Sequence, residues 1–265
     1  MPTSRLRRKH RRGLTLPELL VASAVTALIA MGASTMAVAV HTAQDYAGGR
    51  TQAAQHGRVT LSRIQQAVEA SYGNEVFPCC VVFAAAVGAY DFPDALVVWK
   101  PTGSPAAPTG LPKNNELVIY APDPAAPNRL LECTRPTDTA SAPAMTSTSA
   151  WFSLITKFTT NSDSTKTELT DLLRAGASST TASSQRGAVR FNVFMNPTEA
   201  EWASYRGGSS TFTSLSWPLD QRGQTSGKRR VVCQTELQIA VPSRLDSHEI
   251  LPFFGSASRT YLLSQ

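Results

Sequence analysis

Residues 19–40 form an uncharged, largely apolar run of 22 residues, which constrains the fold more than any other feature of the chain. As an α-helix the run spans roughly 33 Å, close to the hydrocarbon thickness of a bilayer. It is rich in alanine and also includes a glycine and four hydroxyl-bearing residues, which suit close packing between helices, namely Ser23, Thr26, Gly32, Ser34 and Thr35. The run therefore predicts a membrane-spanning helix that also contacts other helices. A plain signal anchor and a cleaved secretory signal are the alternatives, and the run is long for the latter.

The excess positive charge of the chain lies before that run. The 265 residues include 25 Lys and Arg against 19 Asp and Glu. Six of the basic residues precede Gly13 in a segment without acidic residues, namely Arg5, Arg7, Arg8, Lys9, Arg11 and Arg12. The remaining 19 basic residues balance the 19 acidic ones, which argues against a nucleic-acid partner. Because Lys and Arg resist translocation, we expect a cytoplasmic N-terminus and an extracytoplasmic C-terminal part.

Between the leader and the apolar run, a glycine and a carboxylate stand in a fixed register, in the sequence Gly13-Leu14-Thr15-Leu16-Pro17-Glu18. A charged carboxylate near hydrocarbon costs roughly 2.5–3.5 kcal/mol on insertion scales, so Glu18 needs a partner. The positive N-terminal end of its own helix is one candidate. Pro17 suits the first turn of a helix, because its missing N–H would have no intrahelical acceptor there.

These residues resemble the N-terminal segment of type IV prepilins and pseudopilins, which has a basic leader, a glycine, a hydrophobic residue (usually Phe), Thr-Leu, a variable residue, Glu and an apolar run. Leu14 replaces the Phe, and Pro17 fills the variable position. The resemblance implies cleavage between Gly13 and Leu14 by a prepilin peptidase, with N-methylation of Leu14. It also implies that Glu18 pairs with the new amino group of Leu14 on a neighbouring subunit and sets the register of a filament. A merely flexible joint at Gly13 is the alternative.

The resemblance further implies a structural role without enzymatic activity and without a cofactor. It predicts a minor pilin or J-type pseudopilin-like subunit of a type IV pilus or a type II secretion pseudopilus. The expected location is the inner membrane, in a single pass with an extracytoplasmic head, and then the pilus or pseudopilus. The expected partners are the prepilin peptidase, other pilin or pseudopilin subunits and the assembly platform of the machine. The alternative is a signal-anchored extracytoplasmic binding protein or adhesin that does not enter a filament.

The predicted fold is α+β and pilin-like, with a long N-terminal hydrophobic α-helix (a spine) packed on a C-terminal antiparallel β-sheet head. The predicted organisation is a basic leader at 1–13, a transmembrane and assembly helix at 14–45, an amphipathic continuation at 46–72 and a β-rich globular head at 73–265. Residues at three- and four-residue steps predict the buried face of the continuation, namely Gly57, Leu61, Ile64, Val68 and Tyr72. The pair Gly48-Gly49 is a candidate hinge or helix break.

Short runs rich in β-branched and aromatic residues predict strands at 76–83, 95–99, 116–121, 129–133, 151–159, 188–195 and 231–241. Two of these runs flank Pro122-Asp123-Pro124, which predicts a hairpin between them. Two other segments, 165–174 and 197–205, predict short helices. The basic run Lys228-Arg229-Arg230 predicts a solvated turn, with DNA phosphates as an alternative contact.

Four cysteines, Cys79, Cys80, Cys133 and Cys233, lie in the part predicted to be exported, where an oxidising compartment permits disulfides. A bond between the neighbours Cys79 and Cys80 would strain the peptide between them. The favoured pattern joins them separately to Cys133 and Cys233, in an order that the sequence does not assign. A single disulfide, free thiols and a metal site are the alternatives. Neither a CxxC pair nor a nearby histidine set supports a metal.

Overall fold

The computed structural model describes residues 15–87, 90–177, 185–219, 221–242 and 249–265. The chain divides into two compact units, Met1–Gly48 and Gly49–Gln265. The described helices are α1 (Leu16–Glu69), α2 (Thr148–Thr160) and α3 (Glu199–Arg206). The described strands are β1 (Cys80–Val87), β2 (Tyr90–Trp99), β3 (Leu117–Pro122), β4 (Leu130–Thr134), β5 (Thr165–Thr170), β6 (Ala175–Ala177), β7 (Gln185–Gly187), β8 (Val189–Asn196), β9 (Ser226–Ala240) and β10 (Ile250–Ser264).

The strands form two larger antiparallel sheets. The first has five strands in the order β1-β2-β3-β4-β5, and the second has three strands in the order β10-β9-β8. Strands β6 and β7 form a small two-stranded sheet. The predicted α+β, pilin-like fold class is confirmed, because a long apolar N-terminal helix precedes a region rich in antiparallel sheet. The head contains two larger sheets where the sequence predicted one.

Helix α1 continues through Gly48 and Gly49, so the predicted helix break at this pair is wrong. Gly49 serves a close contact instead, because a Cβ there would lie 2.6 Å from the carbonyl oxygen of Pro242. The predicted apolar face is confirmed at Gly57, Leu61, Ile64 and Val68, all of which are buried. The fifth member of that face, Tyr72, follows the end of the helix and is half-buried.

The five-stranded sheet separates two hydrophobic cores, because successive side chains of a strand point to opposite faces. The helix-side core holds Leu96 and Val98 of β2, together with the buried residues of α1 and of the three-stranded sheet. The α2-side core holds Val97 and Trp99 of β2, together with the buried face of α2. Neither face of the central strands is left in water, which explains why β2 and β3 are apolar along most of their length.

An ion pair joins α1 to the five-stranded sheet. Arg63 donates two hydrogen bonds to the carboxylate of Glu132 on β4, from Nε at 2.8 Å and from Nη2 at 2.9 Å. The hydroxyl of Tyr120 donates a third, at 3.1 Å. Burial opposes ionisation of Glu132, but the bonds from Arg63 and Tyr120 outweigh it, so the pKa of Glu132 is lowered. Burial and the neighbouring Glu132 carboxylate raise the pKa of the Tyr120 phenol.

We expect Arg63→Ala to lower the free energy of unfolding by about 1–3 kcal/mol, because it leaves a mostly buried carboxylate without its cation. Because the pKa of Glu132 is lowered in the folded state, the stabilisation by this ion pair depends on pH. It is present above the ordinary carboxyl pKa of 4.5 and is lost as the pH falls through the folded-state pKa. Urea unfolding at pH 7 and pH 3 checks this. The destabilisation should shrink at pH 3, and an equal loss at both pH values would contradict the assignment.

Two segments adopt the opposite structure from the one predicted. The predicted strand at 151–159 is helix α2, whose buried residues Trp151, Leu154, Ile155 and Phe158 recur every three or four positions. The predicted helix at 165–174 contains strand β5, a mostly exposed edge strand that pairs with β4. In both cases the prediction relied on the residue composition of the segment rather than on the spacing of its apolar residues. The predicted helix at 197–205 is confirmed as α3, and the predicted hairpin is confirmed as β3–β4.

The predicted solvated turn at Lys228-Arg229-Arg230 is wrong, because these residues lie within strand β9. Arg229 is 1% exposed, while Lys228 and Arg230 are exposed on the other face. The Arg229 guanidinium donates from Nε to the Pro197 carbonyl oxygen at 2.7 Å, and its Nη1 lies 2.9 Å from a carboxylate oxygen of Glu199. It therefore fixes the start of α3 to the three-stranded sheet.

Candidate assembly site at the start of the N-terminal helix

The first described residue, Thr15, lies immediately before helix α1. The N–H of Leu19 donates to the Thr15 carbonyl oxygen at 3.1 Å, which closes the first helical turn. Pro17 is the second residue of the helix, where its missing N–H leaves no helical hydrogen bond unmade. The predicted cleavage residues, Gly13 and Leu14, lie outside the described residues.

Glu18 is exposed and folds back onto the residue that precedes its own helix. Its Oε2 accepts two hydrogen bonds from Thr15, one from the backbone N–H at 2.9 Å and one from the hydroxyl at 2.8 Å. This is the carboxylate half of a capping box, in which an acidic residue at the third helical position satisfies the backbone N–H of the capping residue. In the single chain, Glu18 therefore bonds to the start of its own helix, which is one of the partners that the sequence analysis considered.

Thr15 is a functional candidate that the sequence prediction missed. The spacing Thr-x-x-Glu directly before an apolar run is a signature of a helix N-terminus, and it is present at Thr15 and Glu18. The prediction considered Glu18 only as the partner of an amino group or of the helix end as a whole. The structure shows that one hydroxyl and one amide of Thr15 define the geometry of this carboxylate.

Beyond Glu18, the first unit presents an apolar surface. Helix α1 is long and apolar enough to cross a membrane, and residues 16–41 are exposed throughout. The large exposed side chains in this stretch are Leu16, Leu19, Leu20, Val21, Val25, Leu28, Ile29, Met31, Met36, Val38 and Val40. A surface of this extent is unfavourable in water, so it requires hydrocarbon or other helices around it.

The hydroxyl groups in this stretch are compatible with hydrocarbon because they bond to the backbone of their own helix. Ser23 donates to the carbonyl of Leu20, and Thr26 donates to the carbonyl of Ala22. Ser34 and Thr35 make equivalent bonds one turn back along the helix. Each hydroxyl therefore needs no water, and the side chains add little bulk to the helix surface. These properties also suit close approach of a second helix.

The structure places all four cysteines in buried positions, as free thiols. Cys79 and Cys80 adjoin each other, with their sulfur atoms 4.0 Å apart, and share the helix-side core with Cys233. Cys133 lies in the α2-side core, on the other face of the five-stranded sheet. The disulfide pattern of the sequence analysis stays a prediction, and this separation argues against its bond to Cys133. Among the described residues, no group of three or more His, Cys, Asp or Glu could hold a metal ion.

An exposed apolar helix capped by a carboxylate, followed by an antiparallel head, defines a pilin-like α+β protein. A comparison with family models matched residues 8–34 to the prokaryotic N-terminal methylation motif. The chain therefore carries the type IV prepilin-like signal over these residues. Searches of curated proteins and of solved structures returned no significant match. The signal indicates a structural subunit and a membrane anchor.

Proposed function

We propose that this chain is a minor pilin or pseudopilin of a type IV pilus or a type II secretion pseudopilus. A prepilin peptidase cleaves it after Gly13 and methylates the new N-terminus of Leu14. The head then lies outside the inner membrane, and the subunit enters a filament through helix packing. The observation that carries the proposal is the methylation motif at residues 8–34, in register with a helix that starts at Leu16.

The geometry at Thr15 and Glu18 suggests how cleavage is linked to assembly. In the uncleaved chain, Glu18 accepts bonds from a neutral amide and a hydroxyl. Cleavage creates an ammonium group at Leu14, and a charge-assisted bond from an ammonium is stronger than a bond from a neutral donor. We expect the bond within the chain to hold Glu18 in the membrane-stored subunit. Glu18 then exchanges its bonds to Thr15 for a bond to the ammonium of a neighbouring subunit, and this new bond fixes the axial register of the filament.

The composition of helix α1 supports a function in a filament. Its exposed apolar surface needs a covering, and its small, internally bonded residues allow close contact with like helices. The proposed organisation keeps a leader at 1–13, an assembly helix at 14–45, its continuation at 46–72 and a head at 73–265. The assembly platform and other pilin subunits are the proposed partners, and we propose that the subunit itself holds no cofactor.

Intact mass spectrometry of the membrane-extracted protein tests the processing step. We expect a chain that begins at Leu14 and is heavier by the mass of one CH2 group, because a methyl group replaces a hydrogen atom of the amine. In cells that lack the prepilin peptidase, the same chain should begin at or near Met1 and carry no methyl group. A chain that retains residues 1–13 in cells with an active peptidase would contradict the proposal.

A further inference from the structure

Three of the four cysteine thiols meet between the two larger sheets. Cys79 and Cys80 lie where the chain enters β1, and both are 0% exposed. Cys233 lies in the middle of β9 and is 1% exposed. Cys80 lies opposite Val98 of β2, and both residues belong to the helix-side core that also holds Cys233. The electrostatic neighbours of the Cys80 thiol are Cys79 and Cys233, whereas those of the Cys79 thiol are Cys80, Ser71 and Arg259. Of the two neighbouring cysteines at the start of β1, Cys80 is therefore the one that adjoins Cys233 of the three-stranded sheet.

The strand arrangement explains this meeting. Strand β1 is the edge of the five-stranded sheet, and it packs against β8, the edge of the three-stranded sheet. Cys233 is one strand further in, directly opposite Val193 of β8. Its side chain points to the helix-side core, as the alternating burial of β9 requires. A covalent bond at this point would join the two sheets across the core.

Cys133 is excluded from the set by the pleat of its strand. It lies opposite Ile119 of β3, and both residues belong to the α2-side core. The five-stranded sheet thus stands between Cys133 and the other three thiols.

We propose that Cys80 and Cys233 form a disulfide that joins the two sheets of the head, while Cys79 and Cys133 stay thiols. The inference rests on the proposed function only for the oxidising compartment in which the head would lie. Two S–H bonds break and one S–S bond forms. The two electrons and two protons reduce the disulfide of an oxidant, such as oxidised glutathione or a thiol-disulfide oxidase, to two thiols.

The bond would stabilise the head, because it closes a loop that includes nine of the ten described strands in whole or in part. Since both sulfur atoms are buried in the folded head, oxidation takes place during folding, before the core closes. We expect reduction to lower the melting temperature of the full chain in detergent by about 5–15 °C. Cys133→Ser should retain this shift, whereas Cys233→Ser should abolish it.

Peptide mapping under non-reducing conditions assigns the bond. The full chain is extracted from cells into detergent, alkylated in denaturant and digested with pepsin at acidic pH, where thiols do not exchange. Fragmentation between Cys79 and Cys80 shows which of the two residues carries the Cys233 peptide. A second sample is unfolded and refolded in detergent with a glutathione redox buffer, which makes the result independent of export. Added protease reports whether the head is accessible from outside the inner membrane in the same cells.

A Cys80–Cys233 peptide in the refolded sample, with Cys133 alkylated, would support the proposal. A disulfide that includes Cys133, a bond from Cys79 to Cys233, or four alkylated cysteines in that sample would overturn it. A head that the protease cannot reach would contradict the proposed topology, and the refolded sample would still decide the pairing. The failure of the disulfide and the failure of the pilin function are thereby distinguishable.

Discussion

Glu18→Ala is expected to abolish filament assembly while leaving the chain inserted in the membrane. The substitution removes the acceptor for the ammonium group of the neighbouring subunit. Loss of a charge-assisted bond of about 1.5–3 kcal/mol weakens each subunit contact roughly 10- to 100-fold. Alanine is a good helix former and is apolar, so insertion of α1 should be undisturbed. Immunoblots of sheared filaments and of membrane fractions measure the two effects separately.

Thr15→Val is the matched control for this experiment. It removes the hydroxyl that donates to Glu18 at 2.8 Å but keeps the backbone N–H that donates at 2.9 Å. If capping of the helix were the whole role of Glu18, Thr15→Val would also impair assembly, although less than Glu18→Ala, because it removes one of the two capping bonds. We expect Thr15→Val to assemble and Glu18→Ala to fail, with both cleaved after Gly13. Normal filaments from Glu18→Ala would instead favour a signal-anchored binding protein or adhesin.

The N-terminal helix of this protein could be predicted from sequence because its signals are local. A long uncharged run, a stripe at helical spacing and a proline in the first turn each act over a few residues, and α1 follows them. The same reasoning overlooked Thr15, although the Thr-x-x-Glu spacing is equally local. The break predicted at Gly48 and Gly49 was wrong because tertiary contacts, not helix propensity, account for Gly49.

The head was harder to predict because long-range packing decides its elements. Strand β10 includes Pro252 and Gly255, which read as strand breakers in isolation. Pro252 is tolerated because β10 is an edge strand and needs no donor on its outer side. Gly255 makes room for Leu61 of α1, whose side chain would lie 3.0 Å from a Cβ. The presence of both residues in a strand is explained only by the neighbouring elements of the folded structure.

Burial of charge was likewise invisible in the sequence. Arg229 stands between two exposed basic residues, and the triplet looks like a solvated run. Its burial depends on acceptors from distant positions, the Pro197 carbonyl and the Glu199 carboxylate. The ion pair of Arg63 with Glu132 joins positions that only the docking of α1 on the sheet brings together. A single sequence contains no signal for such pairs.

The second large effect is expected at Gly57, where α1 meets strand β10. A Cβ built on Gly57 would lie 2.6–2.7 Å from three ring carbons of Phe253, including the carbon at the base of the ring. The ring cannot avoid the added atom by moving its tip alone. We expect Gly57→Val to lower the free energy of unfolding by about 2–3 kcal/mol, and the melting temperature by about 5–10 °C. Thermal unfolding of the full chain in detergent, followed by near-ultraviolet circular dichroism, measures the shift.

Gly48→Val is the matched control, because it changes a glycine of the same helix at which a Cβ would meet nothing within 4 Å. Valine is no worse than glycine inside a helix, so this variant should melt like the wild type. The double variant Gly57→Val with Phe253→Ala tests the cause, since it removes the ring that the valine would strike. It should be no less stable than Phe253→Ala alone, so the two substitutions should not add. Additive losses would place the cost of Gly57→Val elsewhere than at the contact between α1 and β10.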